Sequence, residues 1–357
     1  MEIPRTMKAL RKTKPAFGAE IVEIPVPQIQ PNEVLVKVHA CSICGTDVSI
    51  YEWNKWAQGR IKNIPQTMGH EFTGEIVQVG AHCTRLKVGD IVSVETHIPD
   101  NYSKQTLTGQ MHISKEMKIV GVDRDGSMAE YIAIPELVAW KNDPNMPTHL
   151  ASVQEPLGNA VYCTLVTPVH GQSIAIFGDG PIGLFSVAVA RAAGATTIIL
   201  VGLEEFRLNL AKQVGADYVI NARHENPVAR IMEITQGDGV DIVSEMSGSP
   251  IAVEQCFEVV RRGGFLRLFG IFKDKVPIDI NDHIIFKGIT IHGINGRLMF
   301  DTWFTVSNLL KSGRLNIEPL ITHKLPFERY EEGFNLMLET PKKCSKVVLY
   351  MDTTKMI

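Results

Sequence analysis

The apolar positions of this 357-residue chain fall into two rhythms. Through the first 155 residues they come as short runs broken by turn signals. Examples are Glu33-Val34-Leu35-Val36-Lys37-Val38, Gly74-Glu75-Ile76-Val77-Gln78-Val79 and Asp90-Ile91-Val92-Ser93-Val94. Runs of this length and β-branched content predict strands in an irregular, mostly antiparallel β domain. From about Gly171 strand and helix patterns alternate. Strands are expected at 173–177, 197–201, 217–220, 241–245, 265–269 and 289–293, with helices such as 182–193 and 204–214 between them. Strands joined by crossover helices predict a doubly wound parallel sheet, and so an α/β domain. After about Asn295 the pattern turns irregular again. No internal repeat or low-complexity tract interrupts either part.

Composition narrows the partners. Apolar content of 45% and charged content of 21% are those of an ordinary globular protein. A net charge of −3 gives no electrostatic reason to expect nucleic acid or an anionic membrane. No apolar run is long enough to span a bilayer, and the first residues lack the apolar stretch of a secretory signal. Six scattered cysteines argue against a disulfide framework and fit a reducing cytoplasm. Cys41 and Cys44 share a Cys-x-x-Cys spacing, readable as a redox pair or half of a zinc knuckle. No second such pair completes a four-thiolate site, so Cys41 is read as a buried bystander.

Gly178-Asp179-Gly180-Pro181-Ile182-Gly183 follows a clean strand, Ser173-Ile174-Ala175-Ile176-Phe177, and opens a helical run. In that context glycines allow a tight turn and close approach of backbone to a pyrophosphate, whose charge suits the helix N-terminus. A dinucleotide is therefore expected on Gly178, Gly180, Pro181, Ile182 and Gly183. NAD-binding folds usually carry Asp or Glu at the end of the next strand to hold the ribose hydroxyls. Here Gly202 stands at that place. A missing carboxylate removes the main repulsion against a 2′-phosphate, yet no cation follows at once and Glu204 and Glu205 disfavour one. Arg207 can stack on adenine or reach the ribose. NAD and NADP stay nearly balanced on these residues.

Cys44, His70, Glu71 and Glu155 together offer thiolate, imidazole and carboxylate, the donors zinc takes. Each has a plainer reading: a core thiol, a surface His–Glu pair, a carboxylate at a helix start. Their surroundings argue otherwise. Gly69-His70-Glu71-Phe72-Thr73-Gly74, with Gly80 beyond, and Cys44-Gly45-Thr46-Asp47 resemble the signature of zinc-containing alcohol dehydrogenases of the medium-chain family. The resemblance covers nearly the whole chain. It implies a Rossmann domain over 156–295 and a GroES-like catalytic β domain over 1–155 that the chain completes at 296–357.

The same resemblance implies a reaction. Cys44, His70 and Glu71 match metal-binding positions, and Glu155 matches a residue that ligates zinc or holds its water. An alcohol polarised by zinc is acidified, and a nicotinamide accepts the hydride. Thr46 matches the hydroxyl that takes the alcohol proton. Many relatives end the relay at a His three residues later, where this chain has Ser49. A hydroxyl passes a proton but is no base near pH 7. Phe269, Ile294 and Asn295 match cofactor-lining positions, and NAD is favoured over NADP on resemblance alone. The four cysteines that hold a structural zinc in many relatives fall here at Asp100, Ser103, Thr106 and Ser114. One zinc per chain is therefore expected, with the lobe held by hydrogen bonds and packing or else more mobile.

Long segments are most similar to the L-threonine 3-dehydrogenase branch. They include Ile50-Tyr51-Glu52-Trp53-Asn54-Lys55-Trp56, Gln154-Glu155-Pro156-Leu157-Gly158-Asn159 and Gly293-Ile294-Asn295-Gly296-Arg297. Polyol dehydrogenases share the zinc set and stand as the alternative substrate class. An amino-acid substrate needs a carboxylate partner, for which Arg297 is the candidate, with a cofactor or subunit contact its other reading. His97 is a second candidate for the substrate pocket. The resemblance implies a homotetramer, with 284–294 as a subunit edge. A non-catalytic NAD(P)-binding protein is the reading from a different class, and the intact ligand set argues against it.

Overall fold

The computed structural model describes residues 3–356; Met1, Glu2 and Ile357, at the outer ends of the expected catalytic-domain segments, lie outside it. The chain divides into two units. The first comprises the residues up to Pro156, Ile321–Thr340 and the segment from Lys346 on; the second comprises Leu157–Leu320 and Pro341–Ser345.

A seven-stranded sheet forms the heart of the first unit, with Glu33–Ser42 at its centre. That strand pairs antiparallel with Glu71–Val79 on one side. On the other it pairs with Tyr131–Pro135 and then with Lys346–Tyr350. Its residues are buried throughout except Lys37, which explains the near-continuous apolar run. Register matters most at its end, where Ser42 faces Glu71 across one ladder and Val348 across the other. Since opposed residues share a face and side chains alternate, Lys346, two residues before Val348, joins Ser42 and Glu71 on that face.

A lobe leaves this unit through the paired strands His97–Ile98 and Lys118–Ile119. Within it the four cysteine-replacing positions are tied by hydrogen bonds. Asp100 Oδ1 accepts the N–H groups of Tyr102 and Ser103 at 2.9 and 2.6 Å, and Oδ2 accepts that of Glu116 at 3.0 Å. Asp100 N–H donates to Ser114 Oγ at 3.1 Å, and the Ser103 and Thr106 hydroxyls lie 3.2 Å apart. A carboxylate accepting backbone N–H groups thus gathers this loop.

The second unit holds six parallel strands in the order Tyr218–Asn221, Thr197–Gly202, Ser173–Phe177, Val240–Glu245, Val260–Leu268, Thr290–Gly293. This is the doubly wound sheet, and its order reverses beside Ser173–Phe177, where such sheets bind their ligands. Phe177, Ile199, Val243, Phe257 and Leu266 pack its core. The unit does not end at 295. It runs to Leu320 and takes in the helix Asp301–Lys311, whose buried Trp303 and Val306 need a hydrophobic partner.

The hydrogen bonds to Asp100, that from Glu116 foremost and then that from Ser103, hold its carboxyl below the usual range. A depressed carboxyl stabilises the lobe above the ordinary value of about 3.9, and that support is lost as pH falls toward the folded value. Asp100→Ala is expected to loosen residues 97–119 while leaving global melting little changed. Faster amide exchange confined to the lobe is the readout.

Candidate metal centre and cofactor loop

Cys44 leaves the central strand of the first unit and caps the helix Gly45–Glu52. Asp47, in the first turn of that helix, is fully buried and works in two directions. Its Oδ2 accepts the Cys44 N–H at 3.0 Å, and its Oδ1 accepts the Gly69 N–H at 3.1 Å. One carboxylate therefore fastens the turn carrying Cys44 to the loop carrying His70. His70 Nδ1 sits 3.6 Å from the same Oδ1, beyond hydrogen-bond reach, and has no hydrogen-bond partner among the described residues. Glu71 opens the next strand. A ligand atom from each of Cys44, His70 and Glu71 lies within 4.8 Å of the other two.

A buried lysine completes this arrangement. Lys346 Nζ donates to Glu71 Oε2, to which the Ser42 hydroxyl also donates, and to the Ile43 carbonyl at 3.2 Å. Burial alone would pull the ammonium down, but Glu71 foremost, then Cys44 and Glu155, hold it above its ordinary value. His70 is governed the same way. Burial lowers it, while the Asp47 carboxylate and then Cys44 outweigh burial and raise it well above the usual imidazole value. The donors thus form a negative site that calls for a cation.

The donor set fits zinc. A tetrahedral ion with bonds of about 2.0–2.3 Å spaces its ligands roughly 3.3–3.8 Å apart, a small adjustment from the observed grouping. A metal held here would require neutral His70, so its affinity would fall as pH falls. Glu155, buried near the start of the helix Gln154–Leu165, stands outside the three-residue group. Its charge nevertheless acts on Lys346. Thr46 and Ser49 are half-buried on the helix Gly45–Glu52, three residues apart and so on one face. His97 is buried, its N–H donating to Glu95 Oε1 at 2.9 Å.

In the second unit the glycine turn runs from Ser173–Phe177 into the helix Pro181–Ala192, with Gly180 as N-cap. A Cβ at Gly183 would lie 1.9 Å from the Gly178 carbonyl oxygen, so only glycine closes this turn. Gly178 abuts Met246 and Ser247, and these line a cavity of about 220 Å³ with Phe269, Gly270, Ile294 and Asn295. The expected cofactor residues Phe269, Ile294 and Asn295 are therefore brought together. Both candidate arginines are buried. Arg207 is buried with Nε donating to the Cys344 carbonyl at 2.8 Å. Arg297 is also buried, with Nη1 donating to Asn159 Oδ1 at 2.9 Å, and Gly158 leaves room for its side chain.

Asp47 and Lys346 were not assigned roles from the sequence. Asp47 had a signal, an acidic residue three positions after a helix N-cap. Lys346 had none: it opens the strand Lys346–Tyr350 and lies 275 residues from Glu71.

Comparison with known proteins agrees with this chemistry. Residues 30–144 match the alcohol dehydrogenase GroES-like domain, and residues 181–312 match the zinc-binding dehydrogenase domain. The L-threonine 3-dehydrogenase of Pyrococcus furiosus is 52% identical over 97% of this chain and 99% of that protein. That of Bacillus subtilis is 45% identical over 96% and 98%. Among solved structures, 2R,3R-butanediol dehydrogenase from Bacillus subtilis has a TM-score of 0.86 at 30% identity, over 96% of this chain and 99% of that one. The chain belongs to the zinc-dependent medium-chain alcohol dehydrogenase family. It is thus an oxidoreductase that uses zinc and NAD(P) to act on a small-molecule alcohol. Among the described residues no helix is long and apolar enough to cross a membrane.

Removing one partner of a buried ion pair costs about 3–5 kcal/mol, because the other charge is left alone. Lys346→Met is expected to cost that much in the metal-free protein and clearly less with zinc bound, when Glu71 has a second cation beside it. Denaturant unfolding with and without zinc measures both.

Proposed function

We propose that this chain oxidises the secondary hydroxyl of L-threonine to a ketone with NAD, as an L-threonine 3-dehydrogenase. The observation that carries this reading is 52% identity over almost the full length of a protein of that name, with the Cys44–His70–Glu71 group intact. Initial rates on L-threonine, 2,3-butanediol, sorbitol and simple secondary alcohols, each with NAD and NADP, test it. Threonine with NAD should give the highest kcat/KM; a polyol or diol in that place would move the chain to another branch.

Cys44, His70 and Glu71 would hold the zinc, with Glu155 as fourth ligand or as anchor of its water. Polarisation of the alcohol belongs to the zinc and acceptance of hydride to the nicotinamide. The chain supplies fixed donors, dry walls and a proton route. Asp47 holds the Cys44 and His70 segments together, and Ser42 with Lys346 orients Glu71. Thr46 receives the alcohol proton and Ser49 passes it outward.

The reading of one zinc per chain is supported by the hydroxyl and carboxylate knot at Asp100, Ser103, Thr106 and Ser114. Metal analysis after dialysis should give one; two would overturn the reading of the lobe. A homotetramer is supported by the exposed Ile280, Ile285 and Phe286 beside the edge strand Thr290–Gly293. A monomer in sedimentation at every concentration would contradict it. Six free cysteines suit a cytoplasmic setting.

Because the Ser49 hydroxyl cannot act as a base near pH 7, threonine oxidation should favour alkaline pH. Ser49→His should raise the rate most near neutrality, by about tenfold, less than the roughly 100-fold or more of a base acting directly on the reacting group, because the imidazole acts at the far end of the relay. An unchanged pH–rate profile with altered substrate preference would assign Ser49 to specificity instead.

A further inference from the structure

The strand Thr197–Gly202 ends without the carboxylate that usually receives the adenosine ribose. The structure shows why no side chain stands there. A Cβ at Gly202 would lie 2.5 Å from Asp179 Cβ and 2.6 Å from its Oδ2. The space is filled by Asp179, the variable residue between the first two glycines of the cofactor turn. Its Oδ2 accepts the N–H groups of Leu203 and Glu204 at 2.8 and 2.7 Å. These two bonds fix the carboxylate across the strand end. Its other oxygen has no hydrogen-bond partner among the described residues, and the side chain is only half-buried.

The neighbouring charges are engaged. Glu204 accepts from Arg223 Nη2 at 2.9 Å and from the Lys342 N–H at 3.0 Å. Arg223 also donates through Nε to the Leu203 carbonyl at 3.0 Å. Arg207 is tied to Cys344. The carboxylate oxygen left for a ligand is that of Asp179.

We propose that Asp179 is the ribose-recognising carboxylate of this enzyme and the residue that selects NAD over NADP. The acid has moved from the strand end into the glycine turn, and Gly202 is the space that lets it do so. Oδ1 accepts from the ribose diol, and its charge opposes a 2′-phosphate. The inference rests on the dinucleotide reading of the second unit and on no assumption about the alcohol.

Titration of the purified full-length protein with NADH and NADPH, followed by calorimetry, tests it without turnover. The protein should bind NADH more tightly than NADPH. Asp179→Asn keeps an oxygen for the two backbone N–H groups. It should weaken NADH about tenfold, the scale of one lost charge-assisted hydrogen bond, and strengthen NADPH. Asp179→Ala should shift the ratio the same way and also lower the melting temperature. A purely structural Asp179 would move melting and both affinities together, leaving the NADH/NADPH ratio unchanged, and that result would overturn the proposal. Preference of the unaltered protein for NADPH would overturn it too, along with the NAD reading. Tight NADH binding without threonine turnover would leave Asp179 standing and remove only the proposed substrate.

Discussion

Burial of negative charge is the constraint on which the catalytic unit depends. The carboxylates of Asp47, Glu71 and Glu155 are buried, and the half-buried thiol of Cys44 joins Glu71 in the donor group. An isolated buried charge costs several kcal/mol even after relaxation. Lys346, with the raised basicity of His70, answers that excess in the metal-free protein. Bound zinc would add a second cation and take the place of a proton on His70. The site is thus prepared for a divalent ion by its own charge imbalance. The sheet register that sets Ser42, Glu71 and Lys346 on one face is the structural means.

Rigidity around the ligands comes from short links between distant segments. Asp47 joins the start of a helix to the loop before Glu71. Asp100 performs a similar service in the lobe, accepting three backbone N–H groups. Asp179 spans the glycine turn and the end of the neighbouring strand. In each case a short acidic side chain satisfies N–H groups that a turn leaves without partners. That use of aspartate gives loops the precision that function requires.

Much of this was legible in the sequence because it is local. The period-two runs and the strand–helix alternation fall close to the observed strands, from Ser173–Phe177 to Thr290–Gly293. His70 and Glu71 are adjacent, and Cys44 begins a compact run, so the donor group could be recognised. What stayed hidden depends on long-range packing. Lys346 gains its role only through the ladder that places it beside Glu71. Arg297 reads as a free cation until Asn159 and Gly158 enclose it. Gly202 reads as a lost carboxylate until Asp179 is seen filling its space. The helix Asp301–Lys311 belongs to the second unit because Trp303 and Val306 are buried there, a fact its irregular flanks concealed.

The central claim is that the first unit supplies a metal-dependent alcohol site while the second binds dinucleotide without it. Stripping the protein with a chelator and following two readouts tests this directly. Threonine-dependent NADH formation should fall to background, NADH affinity should stay within about twofold, and added zinc should restore turnover. Near-normal turnover in verified zinc-free protein, or loss of NADH binding with the metal, would contradict the account.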